Sequence, residues 1–170
     1  MLDWRNWLLA VCVLSIYISP HATPHLQARH RCEEFARQGC KVYATSRRVE
    51  TIADFAEGSN IEKFALDVNS DESVAKIIEH ITETDGKLDV LVNNAGVIAP
   101  GISIDLKIPC SISLNIFISG PIVEMPIEDV KQIFETNTFA VLRLCQAVVP
   151  IMVKRRSGTI VNIGSIVGEM

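Results

Sequence analysis

Apolar positions along the chain follow two alternating rhythms. Leu88-Asp89-Val90-Leu91-Val92 is a near-continuous apolar run that ends in Asn93-Asn94-Ala95-Gly96. Such runs, rich in β-branched residues, read as strands buried on both faces, as in parallel sheets. Lys41–Thr45 and Ile61–Leu66 read the same way, and Thr159–Ile163 as a further buried strand tipped by Gly164-Ser165. Between them the period lengthens. Val74, Ile77, Ile78 and Ile81 line one face of a helix over Asp71–Thr84. Glu33–Gly39 reads as the last turns of a helix closed by glycine, and Glu50–Glu57 as a short helix stopped at Gly58. Glu128–Val153 reads as one long helix with Pro126 near its start. Strands alternating with helices at this pace predict βαβ units and a parallel sheet.

Two segments interrupt the rhythm. Trp7–Ile18 is apolar apart from Ser15 and ends at Pro20. It is too short to cross a hydrocarbon core of about 30 Å as a helix. A signal-peptide core, a short membrane anchor and a buried strand all fit its length, although His21-Ala22-Thr23 is a poor cleavage site. His21, His25 and His30 follow among prolines and arginines, and read as a solvated loop rather than a metal site. The second interruption, Gly101–Gly120, is Ile- and Ser-rich without caps or clean alternation. The chain therefore divides into an atypical N-terminal segment, 1–31, and a nucleotide-fold segment, 32–170, with an insert at 102–120.

Composition narrows the function classes. With 170 residues the chain is one domain with room for a core. A net charge of -4, with Lys154-Arg155-Arg156 as the longest basic run, gives no footprint for nucleic acid. Five cysteines without a CxxC pair argue against a disulfide framework or a zinc site, and suit a reducing compartment. Ligands of open α/β sheets sit at the carboxyl ends of the strands, where Asn93–Gly96 would lie. Gly96 would let the backbone turn sharply or let a flat ligand approach it.

Residues 33–100 and 120–170 resemble the short-chain dehydrogenase/reductase family, whose members move a hydride between a nicotinamide cofactor and a carbonyl or alcohol. Four elements carry the resemblance in order: Asp67-Val68 at the end of the third strand, Asn93-Asn94-Ala95-Gly96 at the end of the fourth, Asn137 in the long helix, and Thr159-Ile160-Val161-Asn162-Ile163-Gly164-Ser165 at the fifth. The resemblance implies a Rossmann-type doubly wound parallel sheet, incomplete at the C-terminus and atypical at the N-terminus. It implies that Asp67 and Val68 meet the adenine, and that Asn93, Ala95 and Gly96 floor the cofactor cleft. Ser165 would polarise the substrate carbonyl, and Asn137 would hold a water of the proton relay. Val42-Tyr43-Ala44-Thr45-Ser46-Arg47-Arg48 looks like a second strand built for NADP(H), Arg47 and Arg48 pairing with the 2′-phosphate where an NAD(H) enzyme would place Asp or Glu. This turn and Pro121-Ile122-Val123-Glu124-Met125-Pro126 most resemble fungal 1-acyldihydroxyacetone-phosphate reductases, implying a lipid-linked ketone as substrate. The partners expected are thus a small or lipid-like carbonyl compound, a second copy through the long helix, and a membrane surface through residues 7–18. The location expected is the cytoplasm or the surface of endoplasmic reticulum or lipid droplets.

The chain departs from the family pattern in three places. No tyrosine follows Tyr43, so the family's Tyr-x-x-x-Lys element would lie past Met170. The glycines of the phosphate loop are replaced by His21, Leu26 and Ala28. Residues 102–120 separate Gly101 from Pro121, where the family runs on directly. The expectation is a fragment inactive as written, with the N-terminus, insert and early stop arising from a gene-model or splicing error. A non-catalytic nucleotide- or partner-binding module is the alternative.

Overall fold

The computed structural model describes residues 9–13, 24–96 and 126–164. Five parallel strands form one sheet in the order β3-β2-β1-β4-β5. They are β1 (Leu9–Val13), β2 (Lys41–Ser46), β3 (Ile61–Ala65), β4 (Val90–Asn93) and β5 (Thr159–Asn162). The helices are α1 (Pro24–Arg37), α2 (Asp71–Asp85), α3 (Ile127–Phe134) and α4 (Ala140–Arg155).

The apolar run near the N-terminus supplies the central strand. Of the apolar stretch Trp7–Ile18, Leu9–Val13 forms this strand. Val13 stands level with Thr45 of β2 and Asn93 of β4, so β1 and β4 finish together and β2 runs one residue further. Of the histidines, His25 and His30 belong to α1 rather than to a loop. Arg29 and Glu33, one turn apart, form an ion pair at 2.7 Å along that helix. Gly39 then turns the chain with a left-handed φ of 87°.

Successive strand residues point to opposite faces, and both faces are covered. Val42, Ala44, Val90 and Val92 pack with Ala28 and Cys32 of α1. Tyr43 and Leu91 pack on the other side with Val74, Ile77 and Ile81 of α2 and with Leu144, Val148 and Met152 of α4. The double covering explains the continuous apolar text of β2 and β4. Helix α2 begins where Ser70 accepts the Ser73 amide at 3.2 Å and stops at Gly86, φ 69°.

Three expectations change. Glu50–Glu57 is not a helix: a single 3-10 turn, Val49–Thr51, precedes an extended Ile52 that is 8% exposed. Burial of that side chain draws the backbone out of helical geometry, and the Lys63–Asp54 pair at 2.7 Å fastens the loop to β3. The long helix is interrupted by a π-helical turn, Glu135–Phe139. Strand β5 is half-buried rather than buried, because it lies at an edge of the sheet. The insert at 102–120 lies outside the described residues.

Candidate functional site

The carboxyl ends of β2, β3 and β4 open on one edge, and the sequence-predicted residues gather there. After β2, the hydroxyls of Ser46 and Thr51 lie 3.0 Å apart and Thr51 Oγ1 donates to the Arg48 carbonyl at 2.6 Å. These bonds fix a tight turn that leaves Arg47 and Arg48 exposed. Just inside it, Thr45 Oγ1 is buried with no hydrogen-bond partner among the described residues.

After β3, the Asp67 carboxylate accepts the Asn69 amide at 3.0 Å, and the Asp67 amide donates to Ser73 Oγ at 2.9 Å. An Asx turn of this kind presents the carboxylate at the surface. The neighbouring Val68 is only 1% exposed and points its side chain into the core. Its carbonyl accepts a hydrogen bond from Arg143 Nη1 at 3.0 Å.

At the end of β4 the two asparagines separate in role. Asn93 is buried, and its amide donates to Asn162 Oδ1 at 2.8 Å, tying β4 to β5. Its Oδ1 is buried without a partner among the described residues. Asn94 Oδ1 accepts from Arg31 of α1. Gly96 is exposed, has no left-handed φ, and a β-carbon there would lie 3.7 Å from Asn137 Oδ1. That is ordinary contact. The backbone turn does not demand glycine, a correction to the sequence reading, while the close facing of Gly96 and Asn137 stands. Asn137 reaches this position from the π-helical turn, a widened turn often found at functional sites. Ser165 lies outside the described residues. So does His21, within residues 14–23; Ala28, at another expected glycine position, is fully buried where α1 meets the sheet.

The edge fits a nicotinamide nucleotide in three respects: exposed guanidinium groups after β2, a half-buried carboxylate turn after β3, and unpaired buried oxygens beneath. Among the described residues no group of three His, Cys, Asp or Glu can hold a metal.

Comparison with known proteins follows from this geometry. The model of the family described as short chain dehydrogenase matches residues 28–170. The chain belongs to the short-chain dehydrogenase family. It is 33% identical over 141 residues to 3-oxoacyl-[acyl-carrier-protein] reductase FabG of Vibrio cholerae, covering 81% of this chain and 50% of that protein. It is 30% identical over 135 residues to the NADPH-dependent 1-acyldihydroxyacetone phosphate reductase of Schizosaccharomyces pombe, covering 79% of this chain and 38% of that one. The solved structure of ElxO with NADP bound superposes with a TM-score of 0.70 at 26% identity, covering 96% of this chain and 58% of the other. The chain spans about half the length of the curated relatives it matches, or less. Short-chain dehydrogenases are oxidoreductases on an NAD(P)-binding Rossmann fold, and this chain carries that fold.

Within this short-chain dehydrogenase, Tyr43 is no proton donor for the site. It is fully buried, faces α2, and donates its hydroxyl to Asp85 near the opposite edge of the sheet. Burial, and then the Asp85 carboxylate, push its pKa up to about 12. Sequence reasoning also missed Arg143, which bonds Val68, Asp71 and Glu135 together. The signal was present: Arg143 is the one charge in Ala140–Val153.

Proposed function

We propose that this chain carries the NADP(H)-binding part of a reductase whose substrate is a ketone on a lipid-like acyl chain; the proton donor of the family's Tyr-x-x-x-Lys element is not found in residues 44–170, so the chain as written binds the nucleotide without turning over substrate. The observation that carries the reading is the facing of Gly96 and Asn137 at the ends of the central strands, with Arg47, Arg48 and Asp67 alongside. When bound, the nucleotide supplies the hydride. Arg47 and Arg48 hold the 2′-phosphate by charge-assisted bonds, and Asp67 meets the adenine end. Asn93 holds β4 and β5 in register beneath the cleft. Asn137 holds a water of the proton path, and Ser165 polarises the carbonyl. The names of both curated relatives support the substrate class, since one specifies an oxoacyl and the other an acyldihydroxyacetone substrate.

Titration with NADPH and NADH tests the cofactor. The Arg47→Ala/Arg48→Ala variant should lose about 2 kcal/mol toward NADPH, roughly 30-fold in affinity, with NADH unchanged. Equal binding of NADPH to variant and native chain overturns the assignment of the two arginines.

The long helix supports pairing with a second copy. Phe139, Leu142, Val149 and Val153 are exposed along it, at spacings that bring them onto one side. Sedimentation at micromolar concentration, with Leu142→Glu as the disrupting variant, tests this pairing.

A further inference from the structure

Arg143 joins three parts of the chain that meet nowhere else in sequence. Its guanidinium donates to the Val68 carbonyl at 3.0 Å, to Asp71 at the start of α2, and to Glu135 Oε1 at 2.8 Å. Val68 and Asp71 bracket the loop that opens on Asp67. Glu135 begins the π-helical turn that carries Asn137. A second bond runs parallel to the first: Asn69 Nδ2 donates to Thr136 Oγ1 at 3.0 Å, and Thr136 is 4% exposed. The two ties thus cross from 68–71 to 135–136, one through Val68 and Asp71 and the other through Asn69 between them.

Both ties are polar and short; the Asp71 carboxylate is exposed and Glu135 is partly so, while Thr136 is buried. The Arg143 side chain is only 21% exposed. A planar fork with several donors in fixed directions cannot follow one acceptor without moving the others. Loop and turn are thereby bound to shift together. A π-helical turn has a helical alternative of nearly the same length, so its geometry depends on what holds it.

We propose that Arg143 is a positioning residue that joins the Asp67–Asp71 loop and the Glu135–Phe139 turn into one unit, so that a nucleotide engaging Asp67 also fixes Asn137. The proposal rests on the NADP(H) reading above and adds a coupling between the adenine end and the reacting end of the cleft. Coupling of this kind usually alters affinity by about fivefold to a hundredfold.

Hydrogen exchange on the full chain, with and without NADPH, tests it. In the native chain NADPH should slow exchange in 67–71 and in 135–139 together. In Arg143→Met, which keeps an apolar stem for packing, NADPH should still slow exchange in 67–71 but not in 135–139, with affinity about tenfold lower. Glu135→Gln, which leaves the contacts to Val68 and Asp71 intact, should give the same split in milder form and serves if Arg143→Met does not fold. Rescue of the joint protection by Arg143→Lys would be partial at most, since an ammonium lacks the fork. Equal protection of both segments in Arg143→Met and in Glu135→Gln overturns the coupling while leaving the cofactor reading intact. No protection anywhere in the native chain overturns the cofactor reading, and the coupling with it.

Discussion

The two edges of the sheet use polar residues in opposite ways. At the amino edge two clusters of charges are paired. Lys41 lies 3.1 Å from both Asp85 and Glu62, with its ammonium 4.9 Å from the centre of the Tyr43 ring. Across the sheet, Asp89 is held by Arg155 and by Lys87 at 3.1 Å, while its backbone carbonyl accepts from Thr159 at 2.8 Å. At the carboxyl edge, uncharged oxygens of Thr45, Asn69 and Asn93 are buried without partners among the described residues, and the arginines after β2 stand free of the core. Unmade hydrogen bonds in a buried position are costly, on the order of 1–3 kcal/mol each. The amino edge fastens helices to strands through ion pairs, and the carboxyl edge leaves buried oxygens unpaired among the described residues.

That contrast can be broken most forcefully at Asp89. It is 7% exposed, and removing it strands Arg155 at the end of α4. Asp89→Ala should cost about 3 kcal/mol in urea unfolding, the usual effect of breaking a mostly buried ion pair. A loss near zero would show that the amino edge is not where the sheet is fastened.

A packing change at the same edge comes next. A β-carbon on Gly158 would stand 2.3 Å from Met152 Cγ and 2.7 Å from its Cβ, too close for the end of α4 to stay in place. Gly158→Ala should therefore cost about 2 kcal/mol, within the range of overpacked cores. In a Met152→Ala background, Gly158→Ala should cost less than in the native chain, which thermal unfolding of the two single variants and the double variant would read.

Tyr43 gives the amino edge a pH signature. Its folded pKa, about 12, lies above the ordinary 10.0 because burial and then the Asp85 carboxylate disfavour the phenolate. The unfolded chain therefore releases the phenolic proton first as pH rises. Stability is fully present below pH 10 and falls as pH climbs toward 12. Lys41 acts in the same direction: burial opposes its charge, but hydrogen bonds to Tyr43, Asp85 and Glu62 outweigh that and raise its pKa. Tyr43→Phe should lower stability at neutral pH by roughly 1.5 kcal/mol and flatten the alkaline decline.

The smallest effect belongs to the carboxyl edge and sharpens the comparison most. Thr45→Val replaces an unpaired buried hydroxyl with a methyl of similar shape. Stability should hold or rise by up to about 1 kcal/mol, because no hydrogen bond is lost and a desolvated oxygen is removed. Nucleotide affinity is the readout that separates the edges: it should fall for Thr45→Val and stay level for Tyr43→Phe.

Much of this was legible along the chain, for reasons that differ by element. Strands β2 and β4 showed themselves because both faces are covered, so Val42–Ala44 and Val90–Val92 are apolar. Helix α2 showed itself through the spacing of Val74, Ile77 and Ile81, while its Ser70 cap and Gly86 stop came to light only in the structure. The Asn93–Gly96 segment and Asn137 were singled out by motif, and they do meet. Glu50–Glu57 misled because its charges suit a helix, while the burial of Ile52 depends on β3, which is remote from that turn's own pattern. The π-helical turn left only a faint trace, the β-branched Thr136 and Thr138 beside Asn137 inside an apolar helix.

The sequence by itself determined the βαβ order, the parallel sheet and the polar ends of the strands, because periodicity and turn chemistry are local and cumulative. Tertiary structure alone decided which polar residues became paired. Arg143 reaches Val68 and Asp71 across more than seventy positions, and Tyr43 meets Asp85 across 42. Contacts at such separations leave no period in the text. They are set by strand register and helix packing, which only the folded chain brings into existence.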